Sequence, residues 1–209
     1  LMKNILVTGS SVGLGKEISR LLLSKGFRVI GVARTKLEKL NKCLNHKNFH
    51  YENFDFEKVD DIHNFYKAMN DKYGRFYGLV NNAAIGTDGV LNTMHETDIK
   101  RLIRINIEAP ILMTKYFSRG MLLSKEGKIV NIASIIGSTG FSGLSVYGAS
   151  KSAIIGFTKS LSRELGKMNI NVNAVSPGYM KTNMTKTIDK SSLEKIIRRS
   201  PQKKLASTK

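Results

Sequence analysis

The sequence predicts a three-layer α/β fold, a doubly wound parallel sheet with helices on both faces. Three observations predict it. Short apolar runs rich in β-branched residues alternate with longer stretches of helical apolar spacing along most of the chain, as strand–helix–strand units require. The first run, Ile5-Leu6-Val7, passes into a turn with glycines at 9, 13 and 15 and then into a helical pattern at Ile18, Leu21, Leu22 and Leu23. The 209 residues contain no internal repeat and no linker-like stretch, so residues 1–209 are expected to form one domain with a sizeable core.

Taken in order, Phe27 to Val32 reads as a second strand and Lys36 to Leu44 as a helix with Leu37, Leu40 and Leu44 on one face. A third strand lies within Phe49 to Phe56. Val59 to Tyr73 has helical spacing in Ile62, Phe65, Tyr66 and Met69. Phe76 to Val80 is a fourth strand, and Ile99 to Leu123 a long helix interrupted or bent near Pro110. Lys128 to Ala133 is a fifth strand, Tyr147 to Leu165 a helix, and Ile170 to Val175 a sixth strand. Leu193, Ile196 and Ile197 suggest a short final helix, stopped by Ser200-Pro201, and no run like a seventh strand follows.

Hydrophobic residues make up 41% of the chain and charged residues 24%, ordinary values for a soluble globular protein. No apolar run is long enough to span a membrane. Leu1 before Met2 reads as a processing remnant. Cys43 is the only cysteine, which excludes a disulfide framework and a cysteine metal cluster and suits a reducing cytoplasm. His46, His50, His63 and His95 lie apart from the motifs below and read as surface or packing residues, so no metal is expected.

The net charge is +18, with 34 basic and 16 acidic residues. Basic residues outnumber acidic ones 10 to 2 in residues 1–50, fall to 5 against 9 in 51–100, and lead 9 to 2 in 180–209. Such a surface attracts nucleic acid in principle. No zinc spacing or aromatic-basic signature accompanies it, so a solvated lysine-rich surface is favoured, with anionic small ligands as a middle reading.

The glycine turn carries the first chemistry. Glycine lets backbone approach a phosphate without a Cβ in the way, and the following helix offers free N–H groups and the positive end of its dipole to an anion. The turn reads Thr8-Gly9-Ser10-Ser11-Val12-Gly13-Leu14-Gly15. Tyr147-Gly148-Ala149-Ser150-Lys151 carries the second: tyrosine and lysine four apart share a helix face. A nearby ammonium favours phenolate and is expected to lower the Tyr147 pKa toward the working range of a proton carrier. Ser134 follows the fifth strand, and Asn106 lies within the long helix. Taken singly, Ser134 also fits a helix cap and Asn106 a bridge across the bend before Pro110.

With Asn81-Asn82-Ala83-Ala84 after the fourth strand and Pro177-Gly178 after the sixth, these motifs stand in the order of the short-chain dehydrogenase/reductase family, which the chain resembles. The resemblance implies a Rossmann-type fold and an oxidoreductase that moves a hydride between a nicotinamide cofactor and a carbonyl or alcohol. It implies catalytic roles for Asn106, Ser134, Tyr147 and Lys151, with Tyr147 as proton donor, Ser134 positioning the substrate oxygen, Lys151 also holding the nicotinamide ribose, and Asn106 helping to hold a water. It assigns cofactor contacts to Thr8, Gly9, Ser10, Ser11, Val12, Gly13, Leu14 and Gly15, to Asp55 and Phe56 near adenine, to Asn82, Ala83 and Ala84, and to Pro177, Gly178, Met180 and Thr182. Asp55 alone fits a turn carboxylate equally well, and Ala84 stands where the family usually has glycine. An acidic residue usually ends the second strand and receives the adenosine ribose. Here Ala33, Arg34 and Thr35 stand there. Arg34, with Thr35 as a weaker candidate, suits a 2′-phosphate, so NADP(H) is the expected cofactor and NAD(H) the alternative.

Asn173 to Met184 is similar to the bacterial 3-oxoacyl-acyl-carrier-protein reductase branch of the family. That likeness implies a 3-oxoacyl thioester as substrate, carried on an acidic carrier protein that Lys125, Lys128 and Lys167 could face. A sugar, steroid or small ketone is the alternative within the class, and a non-catalytic dinucleotide-binding regulator the alternative outside it. The family implies a homodimer or homotetramer through the two long helices. It also implies a further C-terminal helix and edge strand, so the chain is expected to be short at that end.

Overall fold

A computed structural model describes residues 2–34, 46–180 and 190–208. The helix expected over 36–44, together with Thr35 and Thr182, lies outside the described residues. Six strands form one sheet in the order β3-β2-β1-β4-β5-β6: β1 (Asn4–Thr8), β2 (Arg28–Ala33), β3 (Phe49–Asn53), β4 (Phe76–Asn81), β5 (Gly127–Ile132) and β6 (Ile170–Val175). Every pairing is parallel. The chain steps from β1 outward to β2 and β3, then crosses back to β4 on the other side. The connections after β1 and β4 therefore diverge, which opens a crevice at the C-terminal ends of those two strands.

Alternation along each strand sends side chains to opposite faces. On one face, Leu6, Ile30, Leu79 and Ile129 pack beneath α2 (Ile62–Tyr73) and α4 (Ala109–Ser124) through Phe65, Met69, Met113, Phe117 and Met121. On the other, Ile5, Val7, Val29 and Val80 meet Ile18, Leu22 and Leu23 of α1 (Gly13–Ser24). Double-sided burial is why these strands read as continuous apolar runs. Two asparagines interrupt the pattern. Asn81 and Asn131 sit side by side in register on β4 and β5. Asn81 Nδ2 donates to Thr114 Oγ1 at 2.9 Å and to Asn131 Oδ1 at 2.8 Å, and Asn131 Nδ2 donates to Thr158 Oγ1 at 2.9 Å. The pair thereby ties α4 and α6 (Ser145–Leu165) to the sheet.

The long helix expected over Ile99 to Leu123 starts earlier, at Glu96, and is interrupted just before Pro110 as expected. It comprises α3 (Glu96–Ile103), a π-turn (Arg104–Glu108) and α4. Pro110, in the first turn of α4, has no N–H to offer the carbonyl four residues back, which is that of Asn106. The backbone widens there instead of bending sharply. A short helix, α5 (Ile136–Thr139), follows β5 and packs on α6, and α7 (Lys190–Arg199) is the expected final helix. Among the described residues no seventh strand continues the sheet beyond β6. A single parallel bridge joins Met180 to Ala206. No helix among the described residues is long and apolar enough to cross a membrane.

Candidate active site

A cavity of about 870 Å³ occupies the C-terminal ends of the central strands. Its first wall is the β1–α1 turn, where Gly9, Ser11, Val12, Gly13 and Leu14 face the cavity. Gly9 has φ +67°, and a Cβ there would stand 2.8 Å from Asn82 Nδ2. Val12 is extended and α1 begins at Gly13, so the positive end of the helix dipole opens onto the cavity. Thr8, Ser10 and Gly15 lie behind this wall. Thr8 Oγ1 donates to Val80 O at 3.3 Å and accepts from the N–H groups of Asn82 and Ala83, each at 2.9 Å. Asn82 Nδ2 returns bonds to Thr8 O at 2.9 Å and Gly9 O at 3.2 Å. These bonds stitch the two diverging connections together, and Asn82, Ala83 and Ala84 line the seam. Ala84 is not among the positive-φ residues, so its methyl costs nothing in backbone strain. At Gly15 a Cβ would lie 2.3 Å from Gly9 O. That glycine lets the helix pack against the turn instead of meeting a ligand. Ser10 is fully buried and its hydroxyl has no hydrogen-bond partner.

Arg34 is exposed at one end of the cavity, beside the buried Ala33 that ends β2. Asp55 and Phe56 line the same end. Asp55 Oδ1 accepts from Glu57 N at 3.1 Å, so its carboxylate also shapes its own turn.

Ser134, Tyr147 and Lys151 meet on the next wall. β5 delivers Ser134 just past its end, and α6 presents Tyr147 and Lys151 one turn apart. Lys151 Nζ lies 5.7 Å from the centre of the Tyr147 ring and donates to Ile132 O at 2.9 Å. Burial lowers Lys151 from 10.5 to about 8. Tyr147 corrects the sequence expectation: its pKa is raised, not lowered. Burial is the larger cause and the neighbouring Ser134 hydroxyl a smaller, opposing one. The ammonium is directed at a carbonyl and sits over the ring face, so desolvation prevails and the phenol keeps its proton at neutral pH.

Asn106 is buried on the π-turn and does not line the cavity. Its Oδ1 accepts from Ile85 N and its Nδ2 donates to Ile85 O, both at 2.9 Å, with a further bond to Ser150 Oγ at 3.2 Å. It clamps the segment after β4 against α6.

The far end of the cavity is built by the connections after β4, β5 and β6. Asp88, Phe141 and Tyr179 line it, with Ile196 from α7. Pro177, Gly178 and Met180 line the side nearer Ser134. Gly89 N donates to Gly143 O at 3.0 Å, Ala206 N to Tyr179 O at 2.9 Å, and the Phe141 and Tyr179 rings meet edge-on at 6.1 Å. As site residues Asp88, Phe141 and Tyr179 gave no signal in the sequence, because loop residues have no periodicity, and Ile196 stood out only as part of the final helix. Lys125, Lys128 and Lys167 lie elsewhere: they flank the N-terminal ends of β5 and β6. Lys128 is separated from Ala133 of the cavity by about 16 Å of strand, and its ammonium donates to Asn171 Oδ1. Those lysines face away from the cavity. No three His, Cys, Asp or Glu side chains gather as metal ligands among the described residues.

Comparison with known proteins yields three informative relatives. Carbonyl reductase family member 4 of Xenopus laevis is 38% identical over 192 residues, covering 91% of this chain and 81% of that protein. The 3-oxoacyl-[acyl-carrier-protein] reductase FabG of Buchnera aphidicola (subspecies Schizaphis graminum) is 38% identical over 205 residues, covering 97% and 84%. The solved structure of ElxO with NADP bound superposes with a TM-score of 0.91 at 32% identity, over 100% of this chain and 87% of that one. The sequence model described as short chain dehydrogenase matches residues 3–192. That match spans both the glycine turn and the tyrosine–lysine helix, so the chain belongs to the short chain dehydrogenase family and is an NAD(P)-dependent oxidoreductase.

Proposed function

We propose that the cavity binds NADP(H) and reduces a ketone, in the first instance a 3-oxoacyl thioester. The observation that carries the reading is the meeting of Ser134, Tyr147 and Lys151 beside the glycine turn in one cavity. The site suits a dinucleotide: Gly9, at positive φ, lets the turn pack against Asn82 and Ala83 so that Ser11 to Leu14 line the cavity, α1 points its N-terminus into it, and Arg34 stands where an acid would exclude a 2′-phosphate. The bound forms of ElxO, with NADP and with NADPH, support the phosphorylated cofactor. The cofactor supplies the hydride when bound.

This chain's residues do the rest. Ser134 orients the substrate oxygen by a hydrogen bond. Tyr147, protonated at neutral pH because it is buried, gives its proton to that oxygen as charge develops there. Lys151 holds the ribose and, carrying positive charge below about pH 8, stabilises the phenolate left behind. Asn106 positions the segment after β4 against the helix that bears Tyr147 and Lys151. The FabG relatives support a 3-oxoacyl thioester, delivered on an acyl carrier protein. The carbonyl reductase relative favours a small free ketone as the second reading.

The test follows NADPH absorbance with a short 3-oxoacyl thioester, beside a Tyr147→Phe variant. Turnover by the native chain and a loss of about 100-fold or more in the variant are expected. Turnover of a simple ketone but of no thioester would select the second reading. Tight NADPH binding without turnover of any carbonyl compound would instead mark a regulator.

A further inference from the structure

The far end of the cavity holds one charged side chain among the described residues that line it, Asp88. The other charged lining residues are Arg34 and Asp55 at the opposite end and Lys151 beside Tyr147. No ion pair among the described residues includes Asp88. It is exposed and lines the cavity, and its loop is tied to the facing one through Gly89 N and Gly143 O at 3.0 Å. Burial, and to a lesser extent the Asp88 charge and Tyr147, oppose ionisation of the Tyr179 phenol. Asp88, Tyr179 and Tyr147 line the same cavity.

An unpaired carboxylate at that position has a definite chemical preference. It repels a second carboxylate brought to Tyr147 and accepts hydrogen bonds from neutral donors such as an amide N–H or a hydroxyl. A 3-oxo acid and its thioester present the same ketone, but only the acid carries a negative charge two carbons away. We infer that Asp88 is a specificity-determining residue that excludes free 3-oxo acids and admits their neutral thioesters. This inference rests on the reductase reading above, and it deepens that reading by naming what selects the substrate's charge.

The test compares two quantities in the native chain, Asp88→Asn and Asp88→Glu. One is kcat/KM for the N-acetylcysteamine thioester of 3-oxobutanoate. The other is the inhibition constant of free 3-oxobutanoate against that reaction, which is readable whether or not the acid is itself reduced. In Asp88→Asn the acid is expected to bind roughly fivefold more tightly relative to the thioester at low ionic strength, a gain that shrinks in high salt. Asp88→Glu keeps the charge and the native ratio. A loop merely disturbed by substitution would move both quantities together and leave the ratio unchanged, and an unchanged ratio overturns the inference. Absence of thioester turnover in the native chain fails the reductase reading, and this inference falls with it. The two failures are therefore read from different measurements.

Discussion

Lys151 shows how a single residue couples chemistry to stability. The residue is 4% exposed, its ammonium donates to one carbonyl, and burial lowers its pKa from 10.5 to about 8. The unfolded chain keeps that proton up to about pH 10.5, so between these values the unfolded state binds more protons than the folded one. Stability contributed through this group therefore rises as pH climbs from about 8 toward 10.5, and the full penalty is present below 8. A shift of this size corresponds to about 3 kcal/mol. In Lys151→Met, which keeps the length and removes the charge, denaturant melts at pH 7 and pH 10 should lack this gain. The native chain should improve by about 2–3 kcal/mol more than the variant over that interval. Parallel pH dependence in the two proteins would refute the assignment.

At the scale of elements, the π-turn places Asn106 where it reaches both Ile85 and Ser150. Removing its amide leaves the Ile85 N–H and C=O without this partner. Asn106→Ala should lower stability by about 1–3 kcal/mol in a chemical melt, and should lower kcat more than it raises KM for NADPH, because the clamped segment adjoins Tyr147's helix. Equal loss in both constants would point to a general structural defect. The central strands β1, β2 and β4 were legible in the sequence because each is an apolar run buried on two faces. β6 starts and ends where Ile170 and Val175 suggested. The turn at 104–108 was not legible, since its apolar residues fit an ordinary helix and only Pro110 hinted at a break. The residues of the site showed the same division. Those on strand ends and the α6 face stood out by spacing. The direction of the Tyr147 shift did not, because it depends on burial and on where the Lys151 ammonium points.

Over the whole molecule, the in-register asparagine pair is the internal fastening of the reacting half. It links β4, β5, α4 and α6 through buried amides and hydroxyls, with one acceptor, Asn81 Oδ1, left without a partner. Asn131→Leu would take one of two acceptors from the Asn81 amide and the Asn131 donor from the Thr158 hydroxyl, which keeps its bond to Ile154 O, at a cost of about 1–3 kcal/mol in equilibrium unfolding. A double-mutant cycle with Thr158→Val should show coupling of at least about 0.5 kcal/mol. Additive losses would mean that the two positions act separately. The parallel sheet also gives the protein two unlike ends, one bearing the cavity and the other Lys125, Lys128 and Lys167.

The backbone bond from Gly89 to Gly143 closes the far wall of the cavity without touching the seam that Thr8 and Asn82 hold shut. Wall and seam share the connection after β4 but are held by different residues of it, Gly89 and Asn82. Combinatorial randomisation of positions 88, 141 and 179 would redraw what enters the cavity on an unaltered chassis. Descent from a common ancestor would have had the same freedom.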